Sequence, residues 1–235
     1  MENAYLFLLS LTAIGNIFSI FIFFAIYFIL KGRTKDRPDA PSVQYWTNYF
    51  LNMGIFVTIL FIPYLVAFFD TSDFLTTTKW ALIIGRAFLL LAVSSTARLL
   101  ALFVWKQKVD LVYFIWVLLG SVIFILGIIY PTGQIFDRAE KLLINQSHPF
   151  VGTALPIYIA AVWMPLAILF LTSGVKNKTI RTRSFLLGIG LLIQSISGPL
   201  YEYARAPQTL ILAIVFTALS GAMILAGILY KKETG

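Results

Sequence analysis

The chain has 235 residues, of which 60% are hydrophobic and only 12% charged, with a mean hydropathy of +0.89. No soluble domain sustains that balance, and the 16% aromatic content fits the interfacial belts of a membrane protein. Without cysteine, disulfides, iron–sulfur clusters and thiolate zinc sites are excluded; His148 alone cannot provide paired-histidine haem ligation, and the net charge of +8 matters through its placement.

Seven stretches reach spanning length: residues 4–30, 45–69, 80–105, 111–130, 151–172, 184–201 and 209–230. The connections are short, so the chain reads as one all-α, polytopic transmembrane domain with no separate catalytic domain. Lysine and arginine are retained on the cytoplasmic side of a membrane. The first, third and fifth connections and the C-terminal tail hold twelve basic residues, among them Lys31, Arg33, Lys106, Lys108, Lys176 and Lys178. The other side holds four: Lys79, Arg138, Lys141 and Arg205. The expected orientation is N-terminus outside and C-terminus cytoplasmic.

The opening MENAYLFLLS lacks the basic n-region of a signal peptide, and its positive cluster follows the apolar run, so an uncleaved first helix is expected. Gly15 and Ser19 form a small-xxx-small pair there, with Asn16 near mid-membrane, as in a helix packed into a bundle. The polar run KGRTKDRPDAPS follows. Its charges fix topology and can also meet anionic lipid headgroups or an acidic partner. The second stretch places Tyr45, Asn48 and Asn52 on one helical face.

The third stretch, WALIIGRAFLLLAVSSTARLLALFVW, carries two arginines at membrane depth, where an ionisable group marks a buried contact or a functional position. Helical side chains tilt toward the N-terminus, so Arg86 is expected to snorkel outward, and Arg98 to point toward mid-membrane. Arg98 shares a stripe with Ala87, Ser94 and Ala101, a spacing that suits a close-packed seam. Asn52 reaches about the same depth from the antiparallel neighbour, so an Asn52–Arg98 hydrogen bond is expected. Every acid lies in a loop or at a helix end, which argues against a buried Arg–Asp pair. Arg98 is thus either part of a polar pocket or switch, or a structural arginine capped by carbonyls and hydroxyls.

Between the fourth and fifth stretches, IFDRAEKLLI reads as a short amphipathic helix on the outer surface. The NQS at 145–147 matches a glycosylation acceptor that matters only in a glycosylating host. Pro156 and Pro165 should kink the fifth helix unless neighbours satisfy the freed carbonyls. The sixth helix sets Gly190, Gln194, Ser197 and Gly198 on one face, and the seventh sets Ala213, Thr217 and Gly221 on another, as packing seams or ligand contacts. At the outer ends Asp70, Arg86, Glu202 and Arg205 are expected to form a charged cluster, screened or rimming a pocket. Asn16, Asn52, Ser94, Arg98, Gln194 and Thr217 are the candidate polar core or ligand pocket.

Familiar seven-helix chemistries fail on particular residues. A retinal protein needs a lysine within its seventh helix, and here none precedes Lys231. The third stretch ends ALFVWKQKVD without Asp-Arg-Tyr, and the seventh lacks Asn-Pro-x-x-Tyr, so rhodopsin-like receptors do not match. Inverted repeats, selectivity-filter sequences and paired intramembrane carboxylates are also missing from the sequence.

With the N-outside topology, the run KTIRTRSFLLGIGLLIQSISGPLY, leading from a basic loop into a Gly-rich sixth helix, resembles the seven-helix sensor regions at the N-termini of some prokaryotic histidine kinases. That resemblance implies a sensor in a prokaryotic cytoplasmic membrane. The chain ends KKETG, without phosphoacceptor or ATP-binding domain, so its signal passes to a separate protein partner or the sensor is truncated. The leading expectation is a non-enzymatic receptor or sensor module; a structural subunit of a larger membrane complex and a small-solute transporter or channel stand beside it. Membrane lipids and a protein partner, cytoplasmic or within the membrane, are expected; nucleic acid and cofactors are not, and the ligand stays open.

Overall fold

In hydrocarbon no water meets an unpaired main-chain group, so an apolar stretch of this length folds as a helix that bonds to itself. A computed structural model describes residues 2–36, 41–69, 74–131, 133–137, 142–146, 148–203 and 207–230. The helices are α1 (Glu2–Asp36), α2 (Pro41–Phe69), α3 (Phe74–Val104), α4 (Val109–Ile129), α5 (Pro149–Lys176), α6 (Arg181–Glu202) and α7 (Pro207–Leu229). All seven are long and apolar enough to cross a membrane, and the chain is an integral membrane protein. Helix ends extend a few residues past the apolar runs, because a helix continues until its polar flanks reach solvated headgroups.

The helices form a ring with one outrigger. Neighbours in sequence pack from α1 to α3 and from α5 to α7; α1 meets α7, and α3 meets α5. The spanning part of α3 is 56% buried and that of α4 only 17%. α4 therefore lies outside the ring, against α3, with Phe114, Leu118 and Ile125 turned outward. A turn of 3-10 helix, Lys106–Lys108, joins α3 to α4.

Small residues set the closest approaches. A Cβ on Gly190 of α6 would lie 2.7 Å from Ile224 Cγ1 and 3.2 Å from the Ser220 carbonyl oxygen of α7. A Cβ on Gly15 of α1 would lie 2.5 Å from Ile214 Cγ2 of α7. These positions match the small-residue seams read from the sequence. α2 and α5 meet through an aromatic plug: Trp46 stacks on Phe50 at 5.7 Å, and Tyr49 meets Trp163 edge-on at 6.0 Å.

Pro156 removes the N–H that would serve the Gly152 carbonyl, and the Tyr203 hydroxyl at the end of α6 donates to that oxygen instead. The start of α5 is fixed by Pro149 and by His148, whose Nδ1 accepts from the Phe150 amide at 3.4 Å. The connection before it corrects the expected amphipathic helix. β1 (Gly133–Asp137) pairs antiparallel with β2 (Leu142–Gln146), Ile135 opposite Ile144. Short apolar runs do not separate helix from strand by periodicity, and here the strand pairing prevails on either side of residues 138–141, which lie outside the described residues.

Gly190→Val should lower stability by about 1–3 kcal/mol, since neither the Ser220 carbonyl nor the Ile224 backbone can move aside. Gly32→Ala, at a position with nothing within 4 Å, should be neutral or slightly stabilising. Thermal unfolding of both variants in the same detergent checks the contrast.

Candidate functional site

A cavity of about 140 Å³ lies on the ring axis. It lies mainly in the half of the bundle away from the α1–α2, α3–α4 and α5–α6 turns: most of its lining comes from the first halves of α1, α3, α5 and α7 and the second halves of α2 and α6, with Met53 and Trp163 just across the midpoints. No described α4 residue reaches it. Most of the wall is apolar, with Met53, Leu89, Ile159 and Trp163 prominent. Trp163, whose indole donates to Thr96 Oγ1 at 3.0 Å, belongs both to the cavity wall and to the aromatic plug.

Six polar side chains interrupt that wall: Asn16, Ser19, Arg86, Gln194, Ser197 and Thr217. The hydroxyls are committed as donors to their own helices. Ser19 donates to the Gly15 carbonyl at 2.9 Å, Thr217 to Ala213 at 2.9 Å and Ser197 to Gln194 at 3.0 Å. Their oxygens remain able to accept. Gln194 Oε1 accepts from Ser220 of α7, which orients the side chain across the α6–α7 seam. Its amide nitrogen has no partner among the described residues, and neither does the buried Asn16 Nδ2. The cavity therefore offers amide donors beside an apolar chamber. No carboxylate stands among its described lining, and no group of three potential metal ligands occurs among the described residues.

Of the sequence candidates, Asn16, Gln194 and Thr217 line the cavity. Arg98, Asn52 and Ser94 do not. The Asn52–Arg98 bond is corrected: Asn52 Nδ2 donates to the Asn48 carbonyl at 2.7 Å, and Arg98 Nη2 pairs with Asp110 Oδ1 at 2.9 Å. The tight α3–α4 turn brings the first turn of α4 alongside Arg98, and the carboxylate attracts the guanidinium more strongly than a distant amide. The guanidinium lies 3.8 Å from the Tyr113 ring centroid and 5.6 Å from that of Tyr45, so the expected α2 face does meet it through its tyrosine. The Asp110 side chain is 88% exposed, and the pair is not a buried one. Arg98 thus ties α2, α3 and α4 together at the basic end of the bundle.

Arg86 is a second correction. It is 3% exposed and lines the cavity, rather than snorkelling to the surface. Gly127 of α4 makes room for it, since a Cβ there would lie 3.4 Å from Arg86 Nη1. Asp70 and Arg205 of the expected charged cluster, and the side chain of Glu202, lie outside the described residues. Ser94 serves a different junction. Its hydroxyl is 2.9 Å from that of Tyr158, which donates to the Trp116 carbonyl at 2.9 Å and so fastens α5 to α3 and α4. Sequence reading missed Tyr158 and Ser220, although a tyrosine and a serine inside apolar spans are the signals that mark such junctions.

A scan against protein-family models finds no match for this chain, and a search of curated proteins finds none.

The Arg98 tie should be asymmetric. Asp110→Ala should cost about 0–1 kcal/mol, as for an exposed ion pair. Arg98→Ala should cost more, by about 0.5–2 kcal/mol, because stacking on Tyr113 is lost as well. Unfolding of the two single variants and the double variant separates charge from stacking; equal costs for the singles would show that stacking contributes nothing.

Proposed function

We propose that this protein is a non-enzymatic membrane receptor or sensor that binds a small molecule in the axial cavity and signals through a separate protein partner. The observation that carries the reading is the chamber itself, an apolar space on the ring axis with unpartnered amide donors of Asn16 and Gln194 at its wall. Its volume is close to that of an engineered apolar cavity of about 150 Å³ that binds benzene. The matching ligand part is a compact apolar group with a hydrogen-bond-accepting oxygen. Leaving a buried donor unmade costs about 1–3 kcal/mol, so a ligand that satisfies both amides gains selectivity over hydrocarbon.

The sensor reading also draws support from the aromatic plug. A ligand that displaces Trp163 pushes on Tyr49, which is fully buried and has a hydroxyl without a hydrogen-bond partner. Repacking can give that orphan group a partner, and Trp46 extends the plug toward the basic end. In this proposal the basic end is cytoplasmic and the α1 N-terminus lies outside, as the lysine and arginine distribution favours, and the membrane is a prokaryotic plasma membrane, as the sensor resemblance implies. The partner then reads the basic face, which fits the resemblance of the α5–α6 turn and α6 to histidine-kinase sensor regions.

Two measurements test the reading. A panel of short-chain carboxylic acids, alcohols and phenols is screened by thermal shift on the purified chain. A binder at a hundredfold excess over its Kd should stabilise wild type by about 2.7 kcal/mol, and Thr217→Trp, which fills the cavity, should abolish the shift. No shift with any probe, together with stoichiometric co-purification of other membrane chains, would favour a structural subunit. For orientation, Gly32→Cys carries the chain's sole thiol. In intact cells it should resist an impermeant maleimide and react after permeabilisation; reaction in intact cells would reverse the topology.

A further inference from the structure

On the outer surface between α5 and α6 lies a second hollow of about 480 Å³. Pro156, Ile157 and Ala160 of α5, Ile196 and Pro199 of α6, and Tyr203 just past its end form most of its wall. Ile157 is 62% exposed and Ile196 45%, so the hollow opens toward the hydrocarbon that surrounds the bundle. Pro156 and Pro199 border the axial cavity as well. The two prolines thus stand between the lipid side and the cavity.

The wall is built from the two residues least able to brace it. Each proline lacks the N–H that would tie it to the preceding turn, and such sites are where helices bend. The Tyr203 hydroxyl on the Gly152 carbonyl is a tie from α6 to α5 at the rim of the hollow, made to a carbonyl that Pro156 leaves without its helical donor. A single side-chain bond at this end is easily exchanged, whereas nearer their connecting turn the same two helices are closely apposed, a Cβ on Gly188 falling 3.0 Å from the Ala167 carbonyl oxygen.

Size and polarity divide the two spaces. The cavity is smaller than the roughly 300–1,000 Å³ typical of pockets for drug-sized ligands, yet it holds the amide donors. The hollow is larger and almost wholly apolar, and it faces lipid. An acyl chain moving from bilayer to hollow gains little hydrophobic free energy, so discrimination rests on the polar end in the cavity.

Taking the ligand-site reading above as its premise, we propose that the ligand is a single-chain, membrane-partitioned amphiphile that reaches the cavity sideways from the bilayer. Its chain lies in the α5–α6 hollow, and its hydrogen-bond-accepting head passes Pro156 and Pro199 to Asn16 and Gln194.

The test uses the full chain in phosphatidylcholine vesicles, with Thr217→Cys on α7 as the only thiol, inside the cavity and away from the hollow. N-dodecylmaleimide, delivered through the bilayer, should modify it at least ~10-fold faster than a sulfonated, water-confined maleimide, followed by intact mass. Adding Ala160→Trp, which fills the hollow, should slow the dodecyl reagent at least ~5-fold while N-ethylmaleimide still labels a Gly32→Cys control at the wild-type rate. If Ala160→Trp does not fold, Ile157→Trp at the exposed mouth replaces it. Equal rates for the water-confined reagent would overturn the lateral route and leave the ligand site standing. Failure of both tryptophan variants to slow the dodecyl reagent would overturn the α5–α6 path alone. If no maleimide reaches Thr217→Cys while Gly32→Cys reacts fully, both the route and the ligand site fall.

Discussion

A main-chain carbonyl that loses its helical donor inside hydrocarbon must find another, and much of this structure follows from that requirement. Each span closes its own ladder, and serine and threonine side chains turn their protons back onto the preceding turn, as Thr58 does to Gly54 and Ser95 to Leu91. That leaves few polar groups free to face a neighbour. Where α5 breaks the ladder at Pro156, a tyrosine from α6 answers. Polar groups that stay uncommitted therefore stand out, and in this bundle two of them, on Asn16 and Gln194, border the same chamber.

The spans were legible because twenty-residue apolar runs have few alternatives in a membrane, and the seams at Gly15, Gly190 and Gly221 were legible because only small residues permit such approach. The α4–α5 connection was not. A ten-residue run of mixed polarity supports either a surface helix or two short strands, and tertiary surroundings decide between them. The termini of the spans were blurred for a related reason: polar flanking turns remain helical without being apolar.

The site was half legible. Asn16, Gln194 and Thr217 were visible as polar residues at mid-span, and they do meet. The two arginines exchanged expectations, because depth along one helix does not say which neighbour is near. Arg98 reaches a carboxylate delivered by the following turn, whereas Arg86 lies in the cavity wall beside the space left by Gly127. Side-chain tilt, a tendency of isolated helices, yields to a length of flexible methylenes when a charge partner or a gap is within reach.

The ring closes through α1 and α7, which run parallel: Gly15 faces Ile214, Gly221 faces Ile22, and Arg33 donates to the Ile228 carbonyl. Both helices contribute to the chamber wall. During synthesis α1 leaves the translocon long before α7, so for that interval its Gly15 face borders lipid or a holding factor, and no chamber exists. The chamber thus closes at a single late moment, when α7 docks. A nascent or truncated chain lacking α7 would have no enclosed chamber, since the α7 side of its wall would be missing.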